Sequence, residues 1–68
     1  MSKEQLIKTI QRDAILAVER GMSQFMLGTI TFIVEQIGGR TWAITLAGST
    51  QSLVYVQQKK EGFAAIIV

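Results

Sequence analysis

Hydrophobic positions repeat with two different periods along this chain. Near the start, Leu6, Ile7 and Ile10 line one face of a helix, while Lys3, Lys8, Gln11 and Arg12 fall elsewhere. Ser2 followed three residues later by Gln5 matches a capping box, so the spacing predicts a helix over about residues 3–12. From Gln24 onward the period is two. Met26, Ile30, Phe32 and Val34 share one parity, and Thr29, Thr31 and Glu35 take the other, which predicts a strand over 24–36 with a bend at Gly28. Gly38-Gly39 then makes a tight turn. Trp42, Ile44 and Leu46 alternate with Thr41, Ala43, Thr45 and Ala47, predicting a half-buried strand over 40–47. Gly48-Ser49-Thr50 forms the next turn, and residues 52–58 alternate again, with Val54 and Val56 opposed to Leu53 and Tyr55. Lys59-Lys60-Glu61-Gly62 is a charged connection before a last apolar strand, 63–68.

Two segments need more than periodicity. Residues 13–20 admit two readings. Ala14, Ala17 and Val18 continue the helical spacing to Arg20, while Asp13 to Glu19 also fits a strand with Ile15 and Leu16 on opposite sides. The run Phe63-Ala64-Ala65-Ile66-Ile67-Val68 is apolar on both faces and has neither Pro nor flanking charge to guard an edge. Such a strand is expected to pair with a strand of another copy.

Composition sharpens that expectation. With 68 residues there is room for one domain, 1–68, and a chain this short buries a modest share of its surface. It contains no Cys and no His, yet 49% of its residues are hydrophobic and mean hydropathy is +0.33. Disulfides are therefore excluded, and no metal or other cofactor is expected. Association with further copies is the remedy left. No apolar run is long enough to cross a bilayer and no signal peptide is evident, so no membrane partner is expected. Freedom from cysteine fits the cytoplasm. Net charge is +2, a mild basic bias.

The order of elements and three local stretches resemble the Sm-like family of Hfq and Lsm type. Leu27-Gly28-Thr29-Ile30-Thr31-Phe32 is similar to the bent strand of its first motif. Trp42-Ala43-Ile44-Thr45-Leu46-Ala47-Gly48 is similar to the next, aromatic-led strand. Leu53-Val54-Tyr55 and Ala65-Ile66-Ile67-Val68 look like the closing pair of the second motif. The second motif's Arg-Gly or Lys-His pair is absent, since Tyr55 is followed by Val56-Gln57-Gln58. The resemblance implies a mainly β fold (small α+β): an N-terminal helix and a strongly bent, five-stranded antiparallel, barrel-like sheet with 13–19 as its first strand. It also implies a homo-oligomeric ring of five to eight subunits that binds single-stranded RNA or acts as an RNA chaperone. The ring would close by pairing the fourth strand of one subunit with the fifth of the next. Ser52, Val54, Val56, Phe63, Ala65, Ile66, Ile67 and Val68 would form that subunit interface.

Catalysis has little to work with. There is no His or Cys, the five acids are scattered along the chain, and no serine has a base beside it in sequence. No enzyme activity, catalytic residue or small-molecule substrate is expected. Arg40 and Trp42 offer a cation beside an aromatic that can stack a base, against the competing reading of Trp42 as a core residue in step with Ile44 and Leu46. Lys59 and Lys60 add charge in the last turn, and Gln58 can hydrogen-bond bases. RNA contacts are thus expected at Arg40, Trp42, Gln58, Lys59 and Lys60. Two further possibilities compete: an oligomeric ring with a structural or protein-binding role and no RNA, and a long helix on a four-stranded sheet acting as a dimeric interaction module.

Overall fold

In the computed structural model, which describes residues 2–68, one helix precedes five strands. Helix α1 spans Lys3–Glu19. The Ser2 hydroxyl accepts from the Gln5 amide at 3.2 Å and so caps its first turn, while Glu4 places negative charge where the helix dipole favours it. The strands are β1 (Gln24–Leu27), β2 (Ile30–Gly38), β3 (Thr41–Leu46), β4 (Ser52–Lys59) and β5 (Gly62–Ile67). Each pairs antiparallel with the next, in the order β1-β2-β3-β4-β5, and the sheet curls into a half-barrel. The protein is mainly β, with an N-terminal helix and a five-stranded curled antiparallel sheet, as the sequence leads one to expect.

The five strands are not the expected five. Segment 13–19 is helix rather than a first strand, and the helix expected to stop near residue 12 continues to Glu19. What ends it is Gly21. Its φ of 67° is open to glycine at little cost, and the backbone closes there in a Schellman motif. The Met22 amide donates to the Ala17 carbonyl at 2.9 Å and the Gly21 amide to the Val18 carbonyl at 3.1 Å. The count is restored because the bent strand 24–36 divides in two. Gly28, with φ 63°, and Thr29 form a two-residue hairpin turn between Leu27 and Ile30.

Pairing at the C-terminus also differs from expectation. Strand β5 lies beside β4 of its own chain, with Val54 opposite Ile67, Val56 opposite Ala65 and Gln58 opposite Phe63. The pairing that the family resemblance would place between subunits is made within one chain. Val54 and Val56, expected at an interface, are instead core residues. A hairpin with a two-residue connection closes a far shorter loop than a second molecule can, so its entropic cost is small.

Inside the curl, α1 lays Ala14, Ala17 and Val18 against Phe25, Phe32, Ile44, Val54 and Val56. Ile44 and Val56 are wholly buried. The Phe25 and Phe32 rings stack at 5.0 Å between centroids. The Gln11 side-chain amide donates to the Ala65 carbonyl at 3.0 Å, tying the helix to the outer edge of β5. Ile44→Ala is expected to cost about 2–5 kcal/mol, by lost burial plus a cavity. Gly21→Ala should cost about 1 kcal/mol through the left-handed backbone it must keep, with open space around the added methyl. Urea denaturation of the two variants tests both values.

Candidate nucleic-acid interface

A meander of antiparallel strands sends alternate turns to the same end of the sheet. The β2–β3 turn, Gly39-Arg40, and the β4–β5 turn, Lys60-Glu61, therefore lie at one end. The Gln58 amide donates to the Arg40 carbonyl at 2.9 Å, which fixes the two segments side by side. Lys59 faces Gly62 across the last rung before the turn. Arg40, Gln58, Lys59 and Lys60, expected as contacts from sequence, are thus brought together, and all four are exposed. Among the described residues the one ion pair is Arg12–Asp13 on the helix, so Arg40, Lys59 and Lys60 are not neutralised by a neighbouring carboxylate within ion-pair distance. Glu61 adds one negative charge to the same turn.

Trp42 is partly core and partly exposed. It lies on the concave face in the rung Gln36–Trp42–Val56–Ala65 and packs against the core. It is nevertheless only half-buried. Its indole borders a cleft of about 260 Å³, shared with Gln36, Val34 and the Gly21–Ser23 segment that leaves the helix. Phe63 is its aromatic partner, 6.0 Å away between centroids and tilted by 59°. A second cleft, of about 340 Å³, runs from Phe63 to Lys59 and Glu61. The two rings stand between one cleft and the other, with cations at the rim.

Sequence reasoning missed two members of this surface. Phe63 was assigned to a subunit interface, whereas its position opposite Gln58 places it beside the basic turn. Gln36, the last residue of the strand expected over 24–36, was given no role. Its place opposite Trp42 sets a hydrogen-bonding amide next to the indole. The signal that finds both is register: once β4 and β5 are known to pair in one chain through a two-residue turn, Phe63 must oppose Gln58.

Chemically the surface offers two aromatic edges or faces, two amides that can both donate and accept, and three cations. No group of three or more His, Cys, Asp or Glu side chains gathers among the described residues. The cations hold no structural contact of their own. Arg40→Gln and Lys59→Gln are therefore expected to change stability by no more than about 0.5 kcal/mol, as measured by urea denaturation. Compared with protein families, characterised proteins and solved structures, the chain matches none.

Proposed function

We propose that this protein binds single-stranded RNA, as a homo-oligomer and without enzymatic activity, through the end of the sheet where the β2–β3 and β4–β5 turns meet. The observation that carries the reading is the convergence of Arg40, Lys59 and Lys60 beside the half-exposed Trp42 and Phe63. Single strands are held by stacking on aromatic rings while cations follow the phosphates, and each stacked base contributes about 1–3 kcal/mol. Gln36 and Gln58 would meet base edges. A duplex fits less well, because its stacked bases do not expose their faces to an aromatic side chain. The Sm-like resemblance of the sequence supports the same ligand class, although its characteristic second-motif pair is absent. Cytoplasmic residence, suggested by the lack of cysteine, belongs to this proposal.

One observation favours a second reading, a structural or protein-binding assembly without RNA. Many large apolar side chains lie exposed on the sheet's outer face and at its C-terminal edge, including Met26, Ile37, Leu53 and Ile66. Surface of this kind serves protein contact rather than phosphate contact.

Fluorescence anisotropy with labelled oligouridine and oligoadenine separates the two. If three cations each displace a counterion from a single strand, log K falls against log salt with a slope of about −2. Arg40→Gln should reduce that slope by about 0.7, and Trp42→Leu should weaken binding about 5- to 150-fold through the lost stack. No binding to either oligomer at low salt, in a folded protein, would refute the RNA reading and leave the protein-binding one.

A further inference from the structure

The concave side of the sheet is filled by α1, but the convex side is covered by nothing in the chain. Its central rung crosses four strands as Glu35–Ala43–Tyr55–Ile66. Ile33 and Thr45 form the rung on one side, continued by Leu53 near the bulge in the β3–β4 pairing. Thr41, Gln57 and Ala64 form the rung on the other. Across these three rungs Glu35 is the only charged side chain. Ile33, Leu53 and Ile66 are 36%, 39% and 45% exposed. Strands β4 and β5 are apolar on both faces, and such strands ordinarily have both faces covered.

We infer that two copies of this chain pack against one another through this convex face, centred on Ile33, Leu53, Tyr55 and Ile66. Three observations select a second copy as the occupant. The centre of the face carries one charge, that of Glu35, and Lys59 stands only at its end, so it offers little to hold a polyanion or a charged peptide, whereas an identical neutral face suits it. Its strands present a twisted sheet surface, and sheets of equal twist pack face to face in alignment. The accessible surface is 4832 Å², while a monomer of this mass is expected to expose about 4,200 Å². The excess of about 600 Å² is close to the roughly 800 Å² that each partner covers in a standard interface.

The pair also removes the instability expected of a short chain without disulfides or metal. It specifies the self-association in the proposed function and rests on that part alone. Arg40 and Lys60 belong to the turns and Trp42 and Phe63 to the concave face, while Lys59 ends β4 beyond the central convex rungs, so Arg40→Gln reads RNA binding apart from pairing.

Sedimentation equilibrium of the full chain, from a few micromolar to a few hundred, tests the inference. The expected mass is twice 7.5 kDa, or 15 kDa. Leu53→Lys and Ile66→Lys, both at exposed positions, should each return the chain to 7.5 kDa at the same concentration. Circular dichroism should show the fold retained, and Arg40→Gln should remain a pair. The inference is overturned by a wild-type chain that stays monomeric at a few hundred micromolar. It is also overturned by an assembly larger than two, or by a dimer indifferent to both lysine substitutions. If one variant fails to fold, the other decides.

Discussion

The contact between the small-residue stripe of α1 and the concave sheet is the constraint on which the rest of this structure depends. Ala14 and Ala17 carry only a methyl group each, which lets the helix axis approach the sheet closely enough to bury Ile44, Val54 and Val56 beneath it. A larger residue at either position would hold the helix off and open a gap along the curl. Close packing is what makes such a substitution expensive, because a gap too small for water leaves its lining without partner atoms. The sheet bends where its register shifts, between Gln36 and Gly38 in β2 and between Ile44 and Thr45 in β3. Gln11 then fastens the helix to β5 through the Ala65 carbonyl, at the edge farthest from the Schellman turn.

The helix overlies the rung of Trp42 at its β5 end, where Gln11 reaches Ala65, and its exit at Gly21–Ser23 borders a cleft beside Val34, Gln36 and Trp42. The indole is therefore packed against the core on one side and open to that cleft on the other. The convex face answers to a different rule. It is largely apolar because residues of both parities in β4 and β5 are apolar, and nothing in the chain covers it.

Much of this was legible beforehand. Alternation in 40–47 and 52–58 placed β3 and β4 to within a residue or so, with Trp42, Ile44 and Leu46 on one parity of β3 and Val54 and Val56 on one parity of β4. The meander then put Arg40 near Lys59 by topology. The segment 13–19 was harder, because its apolar residues satisfy both periods and Ile15 favours strands. Gly21 just after Val18 was the available discriminator, since glycine at that position is how helices commonly close. Gly28 was recognised as a bend, but a left-handed glycine followed by a single residue makes a hairpin, which splits one strand into two. The C-terminal run was expected to pair with a strand of another copy. Its partner was misjudged, because sequence pattern does not distinguish an edge supplied by the same chain from one supplied by another, and a short turn favours the former. Trp42 could not be assigned to core or surface from parity alone, and in the folded chain it belongs to both.

The fold requires that α1 remain one continuous helix through Glu19, seated in the curl. Backbone chemical shifts with amide exchange over Asp13 to Met22 address this most directly. Helical shifts through Glu19, slow exchange at Ala17 and Val18, and protected amides at Gly21 and Met22 are the predicted result. Extended-strand shifts over 13–19, or fast exchange throughout that stretch, would contradict it.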